Sequence, residues 1–260
     1  MPEKIVEKNQ DWRIPIVTTN ETLAIHARMV AHEHAFIVSL QNAKKWPTKT
    51  EKELISDARI IMSDFDISPE SQIGKILEKY NGTYLNVDKN LLKPSQNPAK
   101  LSETIERIEK IRDALGDVDP QNKWEYYDNA GTYTQLLRDT YKKLNNRLWE
   151  YNKTNYILVG ENIDNFLDDF WLRKYAIWKI WEYDNVAIFI KTVQDLQEKS
   201  PVSAIITSVE LPSQIKSSLK KMNITTYTLP DIQDDTSGWW YIRFIEKMVS
   251  TFVSAYDTYD

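Results

Sequence analysis

After Pro120 the chain reads "QNKWEYYDNAGTYTQLLRDTYKKLNNRLWEYN", roughly thirty residues of nearly unbroken helical pattern, on the order of 45 Å at 1.5 Å per residue. Aromatic and aliphatic residues recur along it at helical spacing: Trp124, Tyr127, Tyr133, Leu137, Tyr141, Leu144 and Leu148. Such a stripe is expected to be core. On both sides of it, strand-like and helix-like segments alternate. One long helix between two blocks of βα repeats restricts the chain to a two-lobed α/β protein with parallel sheets, the helix linking the lobes rigidly.

In the first block "RIPIVTTN", "HAFIVSLQ", "ARIIMSDF" and "GTYLNV" read as strands. Between them "NETLAIHARMVA" is helical with Asn20 as N-cap, "TKTEKELISDA" is a short helix, and "SPESQIGKILEKY" carries a Ser-Pro-Glu helix start. "DKNLLKPSQNP" is a loop, "AKLSETIERIEKIRDAL" an amphipathic helix, and "GDVDP" its breaker. In the second block "YILVG", "YAIWKIW", "SAIITSV" and "TTYTLP" are strands. "NIDNFLDDFW", "AIFIKTVQDLQEK", "PSQIKSSLKKM" and a terminal segment from about Ser237 are helices. The expected organisation is an N-terminal lobe over 1–118, a linking helix over 119–151 and a C-terminal lobe over 152–260. Open α/β sheets bind ligands outside the carboxyl ends of their strands, so those ends are expected to face a cleft between the lobes.

Bulk properties exclude several classes. The 33 basic and 38 acidic residues are interspersed at a net charge of −5, with no basic stripe for nucleic acid. Cysteine is absent, so disulfides and thiolate metal sites are excluded. There is no run of about eighteen apolar residues. Six glycines form no phosphate-binding loop, and neither a Gly-x-Ser-x-Gly elbow nor a His-Glu-x-x-His occurs. An enzyme is not expected.

The segment "ALGDVDPQNKWEYYDNAGTYTQLLRDTYKKL" resembles the linking-helix region of the zinc- and manganese-binding solute-binding proteins of ABC importers, through Asp119-Pro120, Asn129-Ala130 and Tyr133. "LISDARIIMSD" and "SAIITSVELPSQIKSSLKKMNITTYTLPDI" look like that family's segments in the same order. The resemblance implies a substrate-capture protein outside the cytoplasmic membrane, monomeric, lipid-anchored through a leader, handing its ligand to an ABC permease. It also implies four metal ligands, two from each lobe. Carried over, the third falls on Glu161 after "ILVG" and the fourth on Asp231 in "LPDI". Both are carboxylates, suited to manganese, zinc or calcium.

The resemblance further implies that the two first-lobe ligands are histidines from loops, and neither has a counterpart here. "NAKKWPTKT" contains none, and the position before Asn97-Pro98 aligns with Lys93, a cation that would repel a metal ion. His26 falls in the first helix, while His32 and His34 precede the second strand, at the wrong end of the lobe. His32-Glu33-His34 reads as a solvated turn, or less simply as a surface metal clip. Oxygen donors from the first lobe would be Asp64 and Asp66; with no metal, Trp46 and Trp239 would be stacking walls for an organic ligand. Glu161 also suits a helix N-terminus, with Asp164, Asp168 and Asp169 a solvated helix face. The alternatives to an ion receptor are a surface adhesin that kept the fold, or a receptor for a small organic molecule.

Overall fold

A computed structural model describes residues 13–40, 48–89, 100–149, 156–160, 168–170, 174–177, 186–200, 202–207, 210–229 and 239–257. Among them are eight strands: β1 (Ile14–Thr18), β2 (Ala35–Ser39), β3 (Ile60–Ser63), β4 (Thr83–Asn86), β5 (Tyr156–Gly160), β6 (Lys174–Ile177), β7 (Val202–Thr207) and β8 (Thr225–Thr228). The helices are α1 (Glu21–Ala31), α2 (Lys49–Asp57), α3 (Gln72–Leu77), α4 (Leu101–Val118), α5 (Lys123–Trp149), α6 (Val186–Lys199), α7 (Ser213–Lys221) and α8 (Trp240–Asp257). The chain divides into two compact units. One takes Met1–Asn90 and Arg107–Gly131; the other takes Leu91–Glu106 and Thr132–Asp260. Helices α4 and α5 therefore each give residues to both.

The first unit holds an all-parallel sheet in the order β2-β1-β3-β4. Starting in the middle and then crossing back is the doubly wound arrangement: α1 covers one face, while α2 and α3 cover the other. On the α2/α3 face Val17, Ile61, Leu40, Ile55 and Ile73 form a buried cluster. Helix α1 starts at its Asn20 cap, whose side chain accepts the Leu23 amide at 2.9 Å. Eight of its residues are buried, including Leu23, Ala24, Ile25, His26 and Ala27. A helix apolar on nearly every side needs cover beyond its own sheet. The Arg107–Gly131 segment of the same unit reaches it: Asn129 donates to the Val30 carbonyl, the Arg107 charge acts on His26, and Ile108, Ile111, Leu115 and Tyr126 of the segment are fully buried.

The second unit repeats the strand order, β6-β5-β7-β8, again all parallel. One face packs on α6 and α7 through Phe189, Val193, Ile205, Ile215 and Leu219. Helix α8 buries Tyr241, Ile245, Met248, Val249 and Phe252. The phenol of Tyr227 on β8 donates to the Ser254 carbonyl of α8 at 3.0 Å. Helix α7 ends with Asn223 at φ 58, and the Ile224 amide reaches back to the Leu219 carbonyl at 2.9 Å, a left-handed cap in which asparagine replaces the usual glycine.

Four local expectations change. Helix α3 begins at Gln72 under the Ser71 cap, because Ser68-Pro69-Glu70 is used up in a turn closed by the Ser71 amide on the Ser68 carbonyl. Helix α4 continues through Gly116 to Val118, and the break comes only at Asp119-Pro120. The buried stripe of α5 is Tyr126, Ala130, Tyr133, Leu137, Tyr141, Leu144 and Leu148, whereas Trp124 and Tyr127 are exposed at 81% and 38%. Asp168 and Asp169 lie in a single 3-10 turn, and Asp169 is no solvated surface acid: its Oδ2 accepts the Leu101 amide at 2.7 Å, capping α4.

Candidate functional site

The carboxyl edge of the first sheet is shaped by three short turns, after β1, β3 and β4; in the first the Thr18 hydroxyl donates to the Asn20 carbonyl at 2.9 Å. After β3 the Ser63 hydroxyl folds back onto Phe65, accepting its amide at 3.1 Å, so the chain turns at once and leaves Asp64 and Asp66 at the edge. Asp64, half-buried, accepts from the Thr19 hydroxyl at 3.2 Å. Thr19 directly follows β1, so this contact sits where the strand order reverses between β1 and β3, the position at which open α/β sheets hold ligands. Asp66 is exposed and accepts from the Asn86 amide nitrogen at the end of β4, at 2.6 Å. Both acids keep carboxylate lone pairs beyond these single bonds. The third turn follows β4, where the Asp88 amide donates to the Asn86 side chain at 3.0 Å.

Sequence reading missed what holds that third turn. Asp88 is buried and paired with Arg107 of α4 through two bonds, Nε to Oδ1 at 2.6 Å and Nη2 to Oδ2 at 2.7 Å. Lys110, one turn further along α4, donates to the Val87 carbonyl at 2.7 Å. The signal was available: Thr104, Arg107, Ile108, Ile111 and Leu115 share one helical stripe, and an arginine there needs a buried partner. His26 of α1 is fully buried, and burial first, then the Arg107 charge, lowers its pKa from 6.5 to about 3. It is a neutral core imidazole at physiological pH.

The other histidines are at the opposite edge. His32 and His34 form a 3-10 turn ahead of the first residue of β2, and so lie at the amino end of the sheet. The solvated-turn reading fails for His34, whose Nε2 is 2.7 Å from Glu125 and whose ring meets Tyr126 edge-on at 5.8 Å. Among the described residues no three His, Cys, Asp or Glu side chains are grouped to hold a metal ion.

The linking-helix motif has a structural explanation. Asp119 accepts from the Asn122 side chain at 2.8 Å and from the Tyr126 phenol at 2.6 Å, fixing the start of α5 after Pro120. Burial first, and then Asp119, hold the Tyr126 phenol above its ordinary pKa. Asn129 donates to the Val30 carbonyl at 3.0 Å, satisfying an otherwise open carbonyl near the end of α1. Ala130 is buried beside it.

In the second unit, β5, β7 and β8 end together, with Val159 beside Ile206 and Thr207 beside Thr228. The Leu229 amide continues the ladder to the Thr207 carbonyl at 2.8 Å. The first carboxylate in sequence after β5 is Glu161, and the first after β8 is Asp231. Both lie outside the described residues, as do Trp46 and Lys93. Trp239 is described: it is 54% exposed, and its carbonyl accepts the Arg243 amide at 3.2 Å at the start of α8.

The family profile "ZnuA: Zinc-uptake complex component A periplasmic" matches residues 99–255. A comparison with curated protein sequences finds no match. Among solved structures, zinc-bound AdcA from Streptococcus pneumoniae is similar at 18% identity and a TM-score of 0.71, over 94% of this chain and 58% of that one. The chain thus spans less than two thirds of that longer protein. A periplasmic metal binding protein from candidatus liberibacter asiaticus aligns at 17% identity and TM-score 0.71, over 92% and 99% of the two chains. An FpvC mutant from Pseudomonas aeruginosa aligns at 17% and TM-score 0.73, over 95% and 99%. At these identities the structural matches speak for the fold.

Proposed function

The chain belongs to the family of the periplasmic zinc-uptake component A, the solute-binding proteins of ABC importers, and from that membership we propose that it captures a divalent cation outside the cytoplasmic membrane and delivers it to an ABC permease. The cation is cargo, taken up and released. Glu161 and Asp231 are its ligands on the second unit, and Asp64 and Asp66 are the oxygen donors that the first unit offers at the corresponding sheet edge. A lipid anchor supplied by a leader keeps the protein at the cell surface.

The observation that supports this reading best is the alignment of strand ends in the second unit. Strands β5 and β8 stop at one sheet edge with only β7 between them, about 10 Å apart at the usual inter-strand spacing. Each is followed in sequence by a carboxylate, inside the span that the family profile matches. Carboxylates without imidazole make an oxygen-rich donor set, which accepts manganese and calcium as well as zinc.

Calorimetric titration of metal-stripped protein with manganese, zinc and calcium tests the proposal, alongside Glu161→Ala and Asp231→Ala variants. One saturable site, weakened by both substitutions, is the expected result. No binding of any of the three ions at saturating concentration would sink it, and so would binding indifferent to both substitutions.

A further inference from the structure

At the amino edge of the first sheet, opposite Thr19 and Asp64, lies a pocket of about 590 Å³. Its lining brings four cations from three elements together: Lys52 of α2, Arg59 just before β3, and Lys75 and Lys79 of α3 and its C-terminal turn. Among the described residues no carboxylate lines it, in a chain whose net charge is −5. None of these four side chains makes an ion pair with a described residue. Of the acids on these elements, Glu51 closes the Thr48 cap of α2 and Glu53 pairs with Lys49. Asp57 lines a neighbouring pocket that Arg59 also borders, and the exposed Glu78 is absent from the described lining.

The wall between the cations is fixed. The Tyr80 phenol donates to the Ala58 carbonyl at 3.1 Å, and burial raises its pKa to about 12, against the pull of Arg59, so it adds no negative charge. Its ring lies against Gly82, where a Cβ would collide with that ring and stand 2.8 Å from the Arg59 carbonyl oxygen. Ile76 completes an apolar surface, and Gln72 and Asn81 place amide groups on the rim.

Four cations without a described ion-pair partner around a pocket of this size would overcompensate a single carboxylate. A guanidinium and three ammonium groups suit oxyanions that carry several charges close together. We propose that this pocket binds a soluble ligand with two or more adjacent phosphoryl groups, its charges met by Arg59, Lys52, Lys75 and Lys79 and its non-ionic part lying on Tyr80 and Ile76. The site is confined to the first unit and independent of the cation proposed as cargo.

Inorganic pyrophosphate is the probe, titrated calorimetrically into metal-free protein in chelator-free buffer at two salt concentrations. Expected is one saturable site whose affinity falls with salt and drops about tenfold or more in a Lys75→Glu/Lys79→Glu variant. A Lys216→Glu control, at a surface lysine of the second unit, leaves the affinity unchanged. Both lysines of the pocket variant are exposed, so equal thermal midpoints separate lost binding from lost folding. No heat at millimolar pyrophosphate overturns the proposal, as does equal binding by the pocket variant. Retention on phosphatidylglycerol vesicles without any pyrophosphate binding also overturns it, by assigning the cations to a lipid surface.

Discussion

Arg107 and Asp88 meet through two parallel hydrogen bonds at 2.6 and 2.7 Å, with both side chains almost wholly removed from solvent. A buried pair of this kind is costly to assemble and costlier to halve. Arg107→Ala or Asp88→Ala alone should destabilise the protein by about 3–5 kcal/mol, because each leaves a buried charge unmatched. The double change Arg107→Met with Asp88→Leu should recover most of that loss. Urea unfolding of the single and double variants checks both statements through the coupling energy.

His26 gives the stability a defined acid dependence. Above its ordinary pKa of 6.5 the imidazole is neutral in both folded and unfolded chains, so it contributes no slope. As pH falls from 6.5 towards about 3, the unfolded chain gains a proton that the buried ring does not. Folding stability should therefore decline by up to about 1.4 kcal/mol per pH unit from this group alone. Replacing His26 by Gln should flatten the plot of unfolding free energy against pH between 6 and 4.5, whatever it does to the absolute value.

Gly131 lies in the interior of α5, and a Cβ built on it meets nothing within 4 Å. Alanine there should stabilise the chain by about 0.5–1 kcal/mol through backbone entropy alone. A higher urea midpoint with an unchanged slope is the expected readout; a lower midpoint would show that the glycine serves some contact.

Asp64 tests whether the first unit gives oxygens to the cation. Asp64→Asn keeps an acceptor for the Thr19 hydroxyl while removing the charge. Manganese affinity should fall about tenfold or more, since ligand charge largely sets the strength of oxygen sites. Asp113→Asn, at an exposed acid engaged by Arg112 and Tyr127, should leave it unchanged.

The eight strands were legible in the sequence because each is a short apolar or β-branched run bounded by turn residues. Their lateral order was not, since nothing in "YILVG" names β6 and β7 as its neighbours; the crossovers decide that. The α5 stripe was half legible for a related reason. Trp124 and Tyr127 looked apolar enough to be inside, but Trp124 lies about 200° around the helix from Tyr126, and Tyr127 about 100° from it. Position outweighed residue type. Asp169 and the Asp88–Arg107 pair escaped notice because their partners are 68 and 19 residues distant in sequence. At the candidate site, the sequence placed Asp64 and Asp66 after β3, but only the fold shows that Asp64 meets Thr19 across the strand-order reversal. The histidines at the far edge agree with their position in the sequence, ahead of β2 rather than after it.

The first sheet is complete at Asn86, whereas residues 107–131 supply the segment that reaches α1. On a ribosome adding about 5–20 residues per second, that segment emerges about two to nine seconds after the sheet. Until then α1 has its sheet but lacks the Asn129 side chain at its Val30 carbonyl and Arg107 near His26. A chain cut short of Gly131 thus has a finished first sheet and an unfinished first unit.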